Sequence, residues 1–267
     1  MPDPKYRQIA ADLHRRIKSE EWPAGTQLPP EPRLEEEYKA SRNTIRDAVK
    51  WLTARGLVST QPGRGTFVNE QIKPFITTLS ADQETGLGGG EGVAFTREAT
   101  LQLMAPVTTV PRVEIQQADD EKAQELGVEV GTSLVSRHQQ RFIDDRPYSL
   151  QTSFYPMSLV ERGGLQLIQA ISIEPGTVAY LRETLGIKQV GYRDMIRVRP
   201  PNDTETNFFM LPDDGSVAVL ETRRTAYDSD GKPFRLTVSV FPADRNRFTI
   251  NVGEVPDEVV NPTQGTG

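Results

Sequence analysis

Arg42 and Arg46 stand four residues apart in the run Ser41-Arg42-Asn43-Thr44-Ile45-Arg46. Their forked guanidiniums suit the O6 and N7 atoms of guanine in a major groove. A helix starting at Ser41 puts both on one face, because residues four apart stack along a helix. Asn43 and Thr44 add an amide and a hydroxyl that reach base edges or phosphates, and the free N–H groups of a helix start favour anions. Further on, Arg64 lies between two glycines in Pro62-Gly63-Arg64-Gly65. At such a tip Arg64 can enter a minor groove, and Gly65 lets the backbone approach a phosphate closely. Lys50, Arg55 and Arg33 are candidates for phosphate contacts. The competing reading is that these are solvated surface charges, so the elements around them must decide.

Periodicity supplies those elements. Tyr6, Ile9, Ala10, Leu13 and Ile17 recur at three- and four-residue steps and predict a helix over 5–20. Pro23 and Gly25 end it, and Leu28 turns toward the core. A second helix from Pro30 or Glu31 to Tyr38 puts Leu34 and Tyr38 inward, leaving Glu31, Glu35, Glu36 and Glu37 as a solvated face. Ser41 is a favoured N-cap, Ile45, Ala48, Val49 and Leu52 form the next apolar stripe, and Gly56 sits where a helix-ending positive φ is wanted. Leu57, Val58, Phe67 and Val68 read as two strands around a tight turn. Helix, helix, turn, helix and ribbon make a winged helix-turn-helix, which presents a helix start to duplex DNA.

The formal net charge of −6 argues against a nucleic-acid partner until its distribution is considered. Residues 1–70 hold 12 Lys/Arg and 10 Asp/Glu, a balance of +2, and the remainder holds 31 − 12 = 19 against 37 − 10 = 27, a balance of −8. Phosphate attraction is local and screened beyond roughly 10 Å, so an acidic body behind a basic head is compatible with DNA. No run of apolar residues is long enough for a membrane span, and the start MPDPKYRQIA lacks a secretory pattern, which implies a cytoplasmic protein. With zero cysteines there is no thiolate metal site, and no metal or cofactor motif is present. The two histidines, His14 and His138, accompany neither G-x-S-x-G nor H-E-x-x-H, so no catalytic residue is assigned.

The fold class expected is α+β, in four parts: a DNA-binding head over 1–70, a flexible Gly-rich linker over 71–94, an effector-binding and dimerisation domain over 95–254, and a disordered tail over 255–267. In the third part, strands are expected at 110–116, 133–143, 148–155, 190–199, 217–227 and 234–241. Helices are expected at 119–126, 158–163, 165–170 and 178–185. Asp144-Asp145-Arg146-Pro147 and the stretch from Asp228 to Pro233 are hairpin turns, and their likeness suggests an internally duplicated sheet.

The stretches LP-x-E-x-x-L, SRNTIRDAVKWLTARGLV and GRGTFV resemble the DNA-binding head of the GntR family of bacterial transcription regulators, over nearly all of residues 4–69. The family commonly has Ser-Glu-Arg after Leu-Pro, with that arginine on DNA. Here Pro30-Glu31-Pro32 occupies the place and Arg33 is displaced by one position, about 100° around a helix. The remainder, on SLVSRHQQRFIDDRPYSLQTSFYP and VLETRRTAYDSDGKPFRLTVSVF, resembles the UTRA domain of the HutC branch, which shares an antiparallel-sheet α+β fold with chorismate lyase.

The resemblance implies a homodimeric regulator, a repressor in the first instance, on a near-palindromic operator in double-stranded DNA. It also implies release by a small-molecule effector. Carried over, the family's Arg-x-Arg pair falls on Gln139 and Arg141, an acidic residue after the hairpin proline on Gln151, and a later acidic residue on Arg223. Those changes count against an amino-sugar phosphate, while Arg137, Arg141, Arg223 and Tyr227 could build an anion site. Two alternatives stay open here: a second domain that only dimerises, and a chorismate-lyase-like enzyme fused to a DNA-binding head.

Overall fold

The computed structural model describes residues 4–69, 74–79, 92–212, 215–252 and 255, and the chain divides into two units, Met1–Lys73 and Pro74–Gly267. In the first unit, helices α1 (Lys5–Lys18), α2 (Glu31–Tyr38) and α3 (Arg42–Thr53) precede an antiparallel ribbon of β1 (Val58–Gln61) and β2 (Gly65–Val68). The stripes seen in the sequence converge: Ile9, Ala10, Leu13 and Ile17 of α1 meet Leu34 of α2, and Ile45, Ala48 and Leu52 of α3. Leu28, Leu57, Val58 and Val68 close the cluster. Helix α1 stops at Lys18, short of the expected residue 20, because Glu20 takes a positive φ of 58°. Residues 25–28 widen the wing, with Leu28 N–H donating to the Thr66 carbonyl at 2.7 Å and Val68 N–H to the Thr26 carbonyl at 2.8 Å.

The second unit begins with β3 (Phe75–Thr78), α4 (Gly92–Leu101), β4 (Pro106–Thr108), β5 (Arg112–Gln117) and α5 (Asp120–Leu126). The hairpin of β6 (Ser133–Ile143) and β7 (Arg146–Pro156) follows, then α6 (Ser158–Glu161), a 3-10 turn (Leu165–Ile168) and α7 (Thr177–Leu185). Last come β8 (Gly191–Arg199), α8 (Asp203–Phe209), β9 (Val219–Tyr227), β10 (Pro233–Pro242) and β11 (Asn246–Thr249). Seven strands form one sheet in the order β4-β6-β7-β10-β9-β8, with β5 beside β4 on the same edge of β6, and every pairing in it is antiparallel.

The repeat in this sheet is larger than two similar hairpins. The series β5-α5-β6-β7 recurs as β8-α8-β9-β10, and the halves join where β7 pairs with β10. Each helix packs on the other half, α5 on β10 and α8 on β7. Alternation then sorts the two faces. Leu150, Phe154, Leu236 and Val240 point to the face covered by α5 and α8. The opposite face is closed at one end by an apolar cluster of α6, the 3-10 turn and α7 on Val135, Tyr155 and Ala226. The Phe75 ring meets the rings of Phe95 and Tyr148 edge-on, and β3 pairs in parallel with β11.

Several expected boundaries move. Within the span read as linker, 75–78 is strand β3 and 92–94 belong to α4, both in the second unit. Its Gly-rich part at 80–91 and the tail from 256 lie outside the described residues. A 3-10 turn replaces the helix expected over 165–170, and α4, β4, α8 and β11 were not expected at all. Among the described residues no helix is long and apolar enough to cross a membrane.

Candidate nucleic-acid interface and effector face

The N-terminal turn of α3 is built by its cap. The Ser41 hydroxyl accepts from the Thr44 N–H at 3.3 Å and lies 2.9 Å from the Thr44 hydroxyl, so Thr44 is half-buried in the cap while Arg42, Asn43 and Arg46 are exposed. The Arg42 and Arg46 side chains are 64% and 50% exposed, and both donate through Nε to one carboxylate, Glu31, at 3.1 and 3.2 Å. Glu31, read from sequence as part of a solvated face, is instead the common anchor of the two arginines. Burial pushes its carboxyl up, but the hydrogen bonds from Arg42 and Arg46 outweigh that and hold it below the usual range. Nothing local announces this link, since Glu31 opens α2 and its partners lie across the turn.

Lys50 is exposed in the last turn of α3, and Arg33 is exposed without a side-chain partner among the described residues. Arg55 lies over the Trp51 ring at 3.5 Å. At the wing tip the Arg64 side chain is exposed while its carbonyl accepts from Gln27 Nε2 at 2.9 Å. Gly65 has φ +117°, a backbone conformation that favours glycine, and a Cβ there would stand 2.1 Å from that amide nitrogen and push the Gln27 side chain off the tip.

The six residues expected to bind an effector do not form one site. Strand register puts Arg137, Gln139, Arg141 and Gln151 on the face opposite α5 and α8, whereas Arg223 and Tyr227 fall on the helix-covered face. Arg223 is buried and donates to Glu125 at 2.6 Å and lies 3.3 Å from Glu121. Its guanidinium loses by burial but gains more from those carboxylates, so its pKa is raised. With Tyr227, Arg193 and Met195 it lines a cleft of about 340 Å³ against α5. Arg137 is committed too. Its guanidinium donates to the carbonyls of Gln166, Leu167, Gln169 and Ile171 at 2.6–3.2 Å, clamping the 3-10 turn, and burial lowers its pKa.

What remains on that face is a polar row that alternation alone did not reveal. Gln139, Gln151, Ser239 and Thr222 stand opposite one another across β6, β7, β10 and β9. Gln139 donates to the Thr109 carbonyl at 3.0 Å, while the buried Gln151 Oε1 and the Thr77 hydroxyl of β3 have no hydrogen-bond partner among the described residues. One step along, Arg141 is 2% exposed and lies 4.8 Å from the Phe95 ring centre, beside Ser149. In the other direction Ser153 bonds Thr237 at 3.0 Å, and Arg224 makes a two-pronged pair with Asp194 at 2.6 and 2.7 Å. Buried polar atoms without partners are costly, and Gln151 and Thr77 each carry one. Thr222 and Ser239 carry no motif that could have singled them out; only the register does. Among the described residues no group of His, Asp or Glu side chains could hold a metal ion.

A capped helix start bearing paired arginines beside a glycine-tipped wing, joined to a sheet with a buried polar face, defines a DNA-binding regulator with a sensor domain. Residues 5–68 match the model described as bacterial regulatory proteins, gntR family, and residues 101–247 match the UTRA domain. The chain belongs to the GntR family, with the UTRA architecture of its HutC branch. It is 28% identical over 247 residues to the HTH-type transcriptional repressor NagR of Bacillus subtilis, covering 92% of this chain and 94% of that one. It is 24% identical over 248 residues to the mannosyl-D-glycerate transport/metabolism system repressor MngR of Escherichia coli, covering 92% and 95%. A solved GntR-family regulator shares the fold with a TM-score of 0.68 at 24% identity, over 95% of this chain and 99% of that one. The chain is therefore a transcriptional regulator and not an enzyme.

Proposed function

We propose that the chain is a homodimeric cytoplasmic repressor whose two heads read the halves of a near-palindromic operator and release it when a small hydroxylated carboxylate binds the polar face of the sheet. The observation that carries the reading is the exposed Arg42 and Arg46 pair on the capped start of α3. Arg42 and Arg46 read guanines, Asn43 supports them, Thr44 holds the cap, and Lys50, Arg33 and Arg64 with Gly65 contact phosphates. For the effector, Arg141 suits one carboxylate, and Gln151, Thr77, Ser239 and Thr222 suit hydroxyl groups. The relatives NagR and MngR are named as repressors, and MngR for a mannosyl-D-glycerate system, which favours repression and a sugar-acid class of ligand. By linkage, effector and operator weaken each other by the same factor.

The test is selection of duplexes from a random pool, followed by a screen of sugar acids and sugar phosphates for release of the enriched sequence. Sugar acids should release the wild-type chain, and Gln151→Leu should abolish release with unchanged DNA affinity. No enriched sequence would refute the DNA reading. Enrichment without release by any compound would reduce the second unit to a dimerisation body.

A further inference from the structure

We propose that two copies of this chain pair edge to edge through β5, about a two-fold axis at Val113. The inference rests on the proposed dimer and names its surface. The sheet ends in two edges, β8 on one side and β5 with β4 on the other, and among the described residues neither has a strand on its outer side. An unpaired edge is a template for another strand. The side chains decide which edge can accept its own copy, because opposite residues of an antiparallel pair share a face and like charges there repel.

On β8, Arg193, Met195, Arg197 and Arg199 share one face. Two β8 strands centred on Met195 would set Arg193 against Arg197, and centred on Ile196 they would set Arg193 against Arg199. Strand β5 behaves in the opposite way. Centred on Val113, the two-fold brings Arg112 opposite Glu114 of the second copy, and does so twice. Both side chains are available: they are 71% and 46% exposed, and their own contact along the strand is a surface pair at 3.3 Å. A shift to Glu114 would oppose that carboxylate to itself, so charge also selects the register.

The other face of this edge is apolar. Val113 packs on the cluster that holds Leu167 and Ile173, and Ile115 beyond it is 64% exposed. The Arg137 clamp, one strand inward from Val113, holds the 3-10 turn over this edge, with Leu165 57%, Ile168 45% and Ile171 43% exposed. A second copy paired on β5 would cover these side chains, the kind of surface that marks an interface.

The full-length chain and its R112E and E114R variants distinguish the outcomes by sedimentation equilibrium and native mass spectrometry. Each variant alone makes two like-charge pairs and should raise the dimer Kd by roughly tenfold. Mixed one to one, the two should form a heterodimer with near wild-type Kd, because both cross-pairs are then opposite in sign; pairing within one chain cannot produce that rescue. Thermal melts matching wild type verify folding. A monomeric wild-type chain would overturn the dimer reading itself. A wild-type dimer with both variants at wild-type Kd, or both weakened without rescue on mixing, would overturn only the β5 assignment.

Discussion

Glu31→Gln isolates the carboxylate that holds both Arg42 and Arg46, the arginines proposed to read bases. The substitution keeps length and shape and removes one negative charge within 3.1–3.2 Å of two guanidinium nitrogens. Both pairs are solvent-exposed, and exposed ion pairs are each worth about 0.2–1 kcal/mol. In the free head those pairs must be given up, wholly or partly, when Arg42 and Arg46 turn toward guanine or phosphate. Removing them should therefore tighten binding to random-sequence duplex by about 0.4–2 kcal/mol, roughly 2- to 30-fold. Orientation is lost together with the charge, so the ratio of selected to random affinity should fall. Fluorescence anisotropy against both duplexes at two salt concentrations measures this, since phosphate binding weakens with salt. Unchanged or weaker binding to random duplex would refute the idea that Glu31 competes with DNA for its arginines.

Arg46→Ala should abolish selective operator binding while dimerisation and effector affinity persist; an unchanged footprint would count against the assignment. Gly65→Ala puts a Cβ on a backbone at φ +117° and displaces the Gln27 amide from the Arg64 carbonyl, and should cost about 1–3 kcal/mol in the head and weaken DNA binding, measured by urea unfolding and anisotropy. His138 is held below its usual pKa by burial and then by the nearby charge of Arg112, and its Nδ1 lies 2.9 Å from the Thr152 hydroxyl. The unfolded chain therefore takes up this proton first as pH falls. The contribution is complete above the unfolded pKa of about 6.5 and is lost as pH falls through the lowered folded value. Urea midpoints should decline from pH 7 toward about pH 5, and His138→Gln should flatten that decline.

The head was almost wholly legible in the sequence. Three apolar stripes at helical spacing, Ser41 at a helix start, Gly56 at positive φ and a Pro-Gly-Arg-Gly tip are local signals, and local backbone preferences suffice to place them. The long strands and both hairpins of the second unit were legible for the same reason. The weak places were elements without a clear period: β3 is four residues long, α8 is seven, its Asn202 and Glu205 capping box passing unnoticed, and the ten-residue α4 was missed as well.

Side-chain partnership was decided only by tertiary structure. Arg137, Arg141 and Arg223 look alike in sequence, yet one clamps four carbonyls, one lies over Phe95 and one is held by Glu121 and Glu125 on the other side of the sheet. Which face a strand residue occupies is set by register, a one-residue slip reverses it, and register is fixed by partners far away in the chain. Glu31 illustrates the same limit in the head. A carboxylate at a helix start reads as solvated until the turn brings α3 across to it.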